Sequence, residues 1–193
     1  MAIKRILTAI LLPVSLTLAF HVHADVCVWR DPERTMIRLF PEAKDYRTEV
    51  CKLQPPQITR IEQLAGEPLE ATEKQEYNIY AITADGRTLG WVLALAGMGE
   101  YGVIETVIGL DPDHRIRGVY LQRVRERQRK ALQSDAFLGQ FVGQRQGDPL
   151  DLRPVPGAET ASQEIARVIR KMLAYDAVLN HDATSPSTSR SGE

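Results

Sequence analysis

The chain has few of the residues on which metal and hydrolase sites depend. It contains only four histidines and two cysteines among 193 residues. Two of the histidines, His21 and His23, lie within the first 24 residues, which leaves His114 and His181. Two histidines are too few for a His-rich metal site, and they leave little scope for a Ser-His-Asp arrangement. Gly-x-Ser-x-Gly, P-loop and cysteine-rich zinc motifs are also absent from the sequence, which argues against those classes of protein.

The sequence also has no excess of positive charge. It carries 24 Lys and Arg against 25 Asp and Glu, for a net charge of −1. Removal of the first 24 residues takes away Lys4 and Arg5 and leaves a net charge of −3. A protein with this balance is not expected to bind nucleic acid.

The first 24 residues have the pattern of a secretory signal peptide. Lys4 and Arg5 precede an apolar run of fifteen residues, 6–20, and Val22-His23-Ala24 is a small-residue cleavage site. The run is shorter than the roughly 20 residues that a membrane-spanning helix needs. We therefore expect cleavage after Ala24 and a periplasmic protein; an uncleaved membrane anchor is the alternative.

Cys27 and Cys51 are the two cysteines, and in an exported chain such a pair predicts a disulfide. The bond would close a loop of about two dozen residues and contribute about 3 kcal/mol in the loop-entropy model. A redox-active pair is the alternative, although the 23 intervening residues are unlike a Cys-x-x-Cys motif.

The pattern of apolar residues predicts an α+β fold, with a twisted antiparallel sheet and helices packed on one of its faces. Short helices are predicted from Asp31 and over 57–64, a further helix over 134–142, and a long helix after Pro156. Between them the period of the apolar residues changes to two, and Asp85-Gly86 is a strong hairpin turn. Four strands are predicted, over residues 77–83, 89–96, 101–110 and 116–124. Short turns between these strands indicate a meander.

Residues 156–170 combine a Pro-Gly turn with the start of an amphipathic helix. Thr160 followed by Gln163 fits a capping box. The first N–H groups of such a helix have no helical partner and the macrodipole favours negative charge there, so this turn is a candidate anion site. The alternative is an ordinary structural helix start.

Four short motifs resemble the FMN-binding domain family, which includes the flavin subunits of the Rnf complex and of the sodium-translocating NADH:quinone reductase. Residues 156–162 are similar to its Ser-Gly-Ala-Thr-x-Thr-Ser signature. The other three are 97–104, similar to Gly-x-Gly-Tyr-x-Gly-x-Ile; 107–119, similar to a hairpin with Gly-x-Asp and Ile-x-Gly-Val; and 137–141, similar to Phe-Leu-x-Gln-Phe. The matches follow the family order over roughly residues 77 to 175.

This resemblance implies an FMN-binding fold with a departure at the attachment point. Flavinylated members esterify FMN to the signature Thr, and Glu159 stands at that position. Thr160 offers a hydroxyl one residue later, and the family's Glu-Thr-Pro-Gly loop is reduced to Glu126. We therefore expect FMN to bind non-covalently. The cofactor-binding residues implied are Tyr101, Gly102, Arg125, Glu126, Gly157, Ala158, Glu159, Thr160 and Ser162.

Three features of this region have alternative interpretations. Residues 123, 125, 127 and 129 are all arginine. If the strand continues, the four side chains lie on one face and can bind a phosphate. If a helix starts near Arg127, they point in different directions around it. Tyr101 either stacks on an isoalloxazine or faces the core from a strand. Gly97, Gly99 and Gly102 either admit a ligand close to the backbone or serve a bulged turn.

The expected domain organisation is a signal peptide, 1–24, an N-terminal helical segment packed on the main domain, 25–75, an FMN-binding-like domain, 76–180, and a disordered tail, 181–193. The expected function is electron transfer by bound FMN rather than an enzymatic reaction on a substrate. A membrane redox complex or a periplasmic electron carrier would be the partner. The alternative is a flavin-free accessory module that retains the fold, which Glu159 favours.

Overall fold

The computed structural model describes residues 32–183, and every structural statement below refers to that part of the chain. The signal segment, Cys27 and most of the tail lie outside the described residues. Within that range an antiparallel sheet of five strands runs in chain order, β1 to β5. Its strands are β1 (Asp45–Lys52), β2 (Glu76–Ala84), β3 (Arg87–Met98), β4 (Val103–Leu110) and β5 (Ile116–Arg123). The predicted α+β meander is therefore confirmed.

Strand β1 was not predicted from the sequence. It pairs with β2 from Asp45 opposite Thr83 to Lys52 opposite Glu76, and it forms one edge of the sheet. Its sequence has few apolar residues, and none of its side chains is fully buried. Charged residues are common on edge strands because they discourage pairing with another chain.

Helices pack on both faces of the sheet. The described helices are α1 (Pro32–Leu39), α2 (Pro55–Ala65), α3 (Arg129–Leu132), α4 (Asp135–Leu138) and α5 (Glu159–Ala183), with short 3₁₀ turns at Thr72–Lys74 and Gly139–Phe141. The helix predicted over 134–142 is thus divided into α4 and a 3₁₀ turn. Ser134 begins α4 as expected, since its side chain accepts a hydrogen bond from the Phe137 N–H.

The larger part of the core lies between α5, α2 and one face of the sheet. Ile165, Val168, Ile169 and Met172 of α5 are buried there, as their helical spacing predicts. Apolar burial on this scale is the main stabilising contribution to the fold.

The opposite face of the sheet is covered in part by α1. Met36, Leu39 and Phe40 pack with Ile82 and Val92 in a smaller core. The prediction that the helices lie on one face is therefore wrong. The prediction failed because the apolar side chains of the short α1 do not indicate which face of the sheet the helix covers.

The long helix α5 extends along the sheet between its two ends. Near its start, Glu164 contacts the end of β3 at Met98. Near its end, Asp176 accepts a hydrogen bond from His114 in the β4–β5 turn, and the His114 ring stacks on Trp91 at 4.5 Å. None of the helices formed by residues 32–183 combines the length and apolar character that crossing a membrane requires.

Candidate functional site

Three segments that are distant in sequence meet at one end of the sheet, at the start of α5. They are the β3–β4 turn taken with the last residue of β3, residues 98–102, the segment after β5, residues 124–128, and the turn into α5, residues 155–162. The Tyr101 N–H donates a hydrogen bond to Glu126 Oε1 at 3.1 Å. A Cβ atom added at Gly157 would lie 3.8 Å from Gln128 Nε2. We call this region the site corner, and it brings together the residues predicted from three separate motifs.

Tyr101 presents its ring to the surface of the site corner. The residue is 39% exposed and precedes β4 rather than lying within it. The guanidinium carbon of Arg127 lies 4.9 Å from the ring centroid, which is a cation–π distance. The interpretation of Tyr101 as a core-facing strand residue is therefore wrong, and one aromatic surface is available near the turn.

The glycines of this turn accommodate protein carboxylates. A Cβ atom at Gly97 would overlap the Glu164 carboxylate, and one at Gly99 would overlap the carboxylate of Glu126. Gly102 differs, since its φ is +134° and the Arg125 Cδ, at 3.7 Å, is the one atom near an added Cβ. Two of the three glycines thus allow close contact with the protein's own side chains.

Two glutamates fix the β3–β4 turn through its backbone. Glu126 is only 5% exposed and accepts the Tyr101 N–H. Glu164 accepts the Met98 N–H at 2.8 Å. Burial raises the pKa of Glu164, but hydrogen bonds from Arg167 and from the Met98 N–H outweigh it and leave that pKa below its usual value. Both carboxylates therefore determine where Tyr101 lies.

The arginines after β5 follow neither of the predicted arrangements. Strand β5 ends at Arg123, which forms an ion pair with Glu105 at 3.6 Å, and α3 begins only at Arg129. The intervening residues are irregular. Arg125 and Arg127 are exposed. The Arg125 side chain lies beside Gly102 and the Arg127 guanidinium lies over the Tyr101 ring, so both are at the β3–β4 turn rather than on one strand face or around a helix.

The protein's own Glu159 carboxylate occupies a backbone N–H group at the start of α5. Gly157 has φ +75°, which turns the chain into the helix at Glu159. The Glu159 carboxylate accepts the Gly157 N–H at 2.9 Å. This bond and one from its own N–H lower the pKa of Glu159 below its usual value. A bound phosphate would have to share or replace these donors.

The remaining predicted residues of the signature differ in exposure. Ser162 is fully buried, accepts the Val155 N–H at 3.0 Å and donates to the Ala158 oxygen at 2.8 Å. Ala158 is buried as well, whereas Thr160 is exposed. Ser162 therefore fixes the turn into α5. Of Ala158, Thr160 and Ser162, only Thr160 has its side chain at the surface.

Sequence reasoning missed a buried charge network along α5. Lys171 is 1% exposed, and its Nζ lies 3.1 Å from Glu67 and 3.0 Å from Glu73. Arg167 binds both Glu67 and Glu164, and thereby connects the network to the site corner. The spacing of Glu164, Arg167 and Lys171, three and four residues apart, was a signal that they share a helix face.

Two clefts lie away from the site corner. One, of about 290 Å³, lies between α1 and the β1–β2 edge, and Met36, Tyr46 and Ile82 contribute to its lining. The other, of about 170 Å³, lies beside α5 at Phe141 and Leu173. Neither cleft is lined by a predicted cofactor-binding residue. The candidate site is therefore identified by the contacts among the three segments of the site corner and not by a cleft.

The fold, but not the sequence as a whole, is similar to a known protein. No family model matches the chain, and no curated protein does. The crystal structure of NqrC from Shewanella oneidensis matches with a TM-score of 0.51 and 12% sequence identity, over 77% of this chain and 86% of that one. At this identity the comparison establishes the fold alone. The chain therefore has the fold of NqrC.

Proposed function

We propose that the protein binds FMN non-covalently at the site corner and acts in electron transfer. The observation that carries this proposal is that two motifs resembling the FMN-binding domain family, far apart in sequence, meet at the segment that contains Glu126. Tyr101 of the first motif is bonded to Glu126, and Gly157 of the second lies beside Gln128. The similarity of the fold to NqrC supports it independently of those motifs.

The described residues fit a flavin that is held without a covalent bond. Tyr101 offers an exposed ring on which a flat heterocycle can stack. Arg125 and Arg127 are exposed cations beside it, and each charge-assisted hydrogen bond to a phosphate contributes about 1.5–3 kcal/mol. Bound flavin would supply the one- and two-electron redox chemistry. The chain would orient the flavin and set the charge around it.

Covalent attachment does not fit Glu159 or Ser162 at the start of α5. Glu159 has no hydroxyl, and its carboxylate is bonded to the Gly157 N–H where a phosphate would be received. Like charges at that position weaken phosphate binding, and an arginine of the 124–128 segment would have to compensate. Ser162 is not available either, since its hydroxyl is buried and doubly hydrogen-bonded.

The visible spectrum of the purified protein tests this function. We expect absorbance near about 370 and 450 nm, the usual flavin bands. Acid or heat denaturation followed by ultrafiltration should release the yellow chromophore into the filtrate. Flavin that stays with the unfolded chain on a denaturing gel would contradict non-covalent binding and indicate Thr160 as the ester.

A flavin-free accessory module of a redox complex is the second candidate. The observation that favours it is the Glu159 carboxylate, which takes the place at the helix start that an anionic ligand would occupy. A protein that contains no flavin, and takes up none when refolded with added FMN, would establish this alternative over the first.

We propose that the protein is exported and works with a membrane redox complex or a periplasmic electron carrier. The support is the signal-like pattern of residues 1–24. Intact-mass analysis should find Asp25 as the first residue, whereas a full-length chain found only in membranes would indicate an anchor.

The proposed disulfide joins Cys51 to Cys27, which lies outside the described residues. Cys51 is half-buried on the edge strand β1. Burial, followed by the nearby Glu49, raises the pKa of its thiol, so a reduced Cys51 would be a weak nucleophile. Thiol labelling under denaturing conditions should find no free cysteine. Labelling of both thiols would contradict the proposed disulfide.

A further inference from the structure

Four cations without ion-pair partners lie close together in the sequence, two in the site corner and two in α3, which directly follows it. Arg125, Arg127, Arg129 and Lys130 are all exposed, and none lies within 4.0 Å of a carboxylate among the residues that the structure describes. We call them the basic patch. Glu126, the one acid within this stretch of sequence, is buried and bonded to the Tyr101 N–H, so it does not cover the patch.

Elsewhere many exposed or half-exposed cations are paired. Arg117 binds Glu42, Lys44 binds Asp85 at 2.6 Å, and Arg115 lies 3.5 Å from Asp148. The whole chain has a net charge of −1. Six other exposed cations of the described residues also lack an ion pair, but they are dispersed along the chain: Arg38, Lys52, Arg60, Arg87, Arg153 and Arg170. The basic patch differs in that four such cations lie within six residues, 125–130. Glu100 and Glu159 are exposed acids of the site corner, and neither forms an ion pair with the patch.

Exposed apolar side chains lie within the same corner. Met98 is 62% exposed and Tyr101 is 39% exposed, and both belong to the β3–β4 turn. Aromatic residues, methionine and arginine are enriched in protein–protein interfaces, where a small apolar centre has a polar rim. The composition of the corner is that of an interface.

We propose that the basic patch is a docking surface for an acidic face of a protein partner. Three of its four cations are arginines, whose planar guanidinium groups bind carboxylates through two parallel hydrogen bonds. An anionic bilayer is the alternative, since it attracts a basic cluster that comes within about a Debye length of it. The arginine, tyrosine and methionine side chains that lie together here are the composition of a protein interface and favour a protein partner. The partner's identity as an electron carrier rests on the proposed function, but the docking itself does not require flavin.

Charge complementarity of this kind acts mainly on association. It accelerates the encounter of the two proteins and weakens as salt screens the charges. A partner that approaches here would lie beside Tyr101, on whose ring the proposed flavin stacks.

The test compares two double charge reversals that alter the net charge equally. Arg129→Glu with Lys130→Glu changes the basic patch outside the proposed flavin contacts, and Arg60→Glu with Arg87→Glu changes exposed cations elsewhere. Fluorescence anisotropy measures binding of a labelled 15-residue Glu-rich peptide to the full chain at low and physiological salt, and urea unfolding checks that both variants fold. We expect salt-sensitive binding that falls about tenfold or more in the patch variant and less than about twofold in the control.

Three outcomes overturn the proposal. Equal losses in both variants would show that net charge alone governs binding. No binding of the peptide to the unaltered protein at low salt would show that the patch does not recognise carboxylates. Binding to phosphatidylglycerol vesicles at physiological salt, abolished by the patch variant and without peptide binding, would assign the patch to a membrane. Each result is independent of the flavin spectrum, so failure here is distinguishable from failure of the proposed function.

Discussion

One charged residue is exposed in the first turn of α5, and another is buried in its middle. At the first turn, Glu159 is exposed, and its carboxylate is bonded to backbone N–H groups. In the middle, Lys171 is buried between the carboxylates of Glu67 and Glu73. Charge that is removed from water must be paired, whereas charge at the surface need not be. The comparison separates a part of α5 that stabilises the fold from a part that remains accessible to a ligand.

The buried network also joins two segments of the chain. It attaches the segment between α2 and β2 to α5, and the Tyr175 hydroxyl adds a hydrogen bond to the Glu73 oxygen at 2.8 Å. The Tyr175 ring stacks on Tyr77 of β2 at 4.1 Å. Since Arg167 extends the network to Glu164, the same contacts support the β3–β4 turn at the site corner.

The largest effect is expected from neutralising both partners of Lys171. Glu67→Gln with Glu73→Gln leaves a buried ammonium without a carboxylate, which should lower the free energy of unfolding by about 3 kcal/mol. Urea unfolding at neutral pH measures this difference. Glu159→Gln is the matched control at the exposed end of the helix, and its unfolding midpoint should stay close to that of the unaltered protein. Equal midpoints for the two variants would contradict the contrast between the two regions.

A smaller effect is expected from the turn into α5. Ser162→Ala leaves the Val155 N–H without its acceptor in a buried position, which should cost about 1–2 kcal/mol of stability. Thr160→Ala, two residues away and exposed, should change stability by less than about 0.5 kcal/mol. The two variants can be compared by urea unfolding. A larger loss for Thr160→Ala would mean that the hydroxyl contributing to this turn has been misassigned.

The smallest effect depends on pH. Glu164→Gln should reduce stability by about 1 kcal/mol at pH 7, a modest value because water still screens the carboxylate. Burial raises the pKa of Glu164, but hydrogen bonds from Arg167 and the Met98 N–H outweigh it and hold the folded-state pKa below its usual value. Its contribution is therefore complete above the unfolded pKa and is lost as the pH falls through the folded pKa. The difference in free energy of unfolding between the unaltered protein and the Glu164→Gln variant, measured by urea titration, should shrink below about pH 4.5. A difference that grows at low pH would contradict the lowered pKa of Glu164.

Much of the sheet could be predicted from the sequence for local reasons. Asp85-Gly86 and the turn at 111–114 mark hairpins, and the alternation between them sets strands that pair with their neighbours. Strand β1 could not be predicted, because an edge strand with few buried side chains has no apolar alternation to detect. The position of α1 depends on tertiary packing, which its eight residues do not encode by themselves.

The site corner was predictable as a set of motifs but not as a set of contacts. The turn at Tyr101 and the start of α5 were each identified from local pattern, and their proximity depends on how α5 crosses the sheet. Gly97 and Gly99 illustrate the limit, since glycine signals close approach of some group without naming it. Here the groups are Glu164 and Glu126, which lie far along the chain.

Binding of FMN to the flavin-free protein tests the central claim most directly, because it measures the cofactor at the residues assigned to it. Quenching of FMN fluorescence gives the dissociation constant for the unaltered chain and for two matched double variants. Arg125→Ala with Arg127→Ala should raise the constant at least about tenfold, since each charge-assisted bond contributes about 1.5–3 kcal/mol. Arg60→Ala with Arg87→Ala should leave it unchanged, and Glu159→Gln should lower it by removing a like charge. An unaltered protein that shows no saturable binding, even after refolding with FMN, would contradict the account.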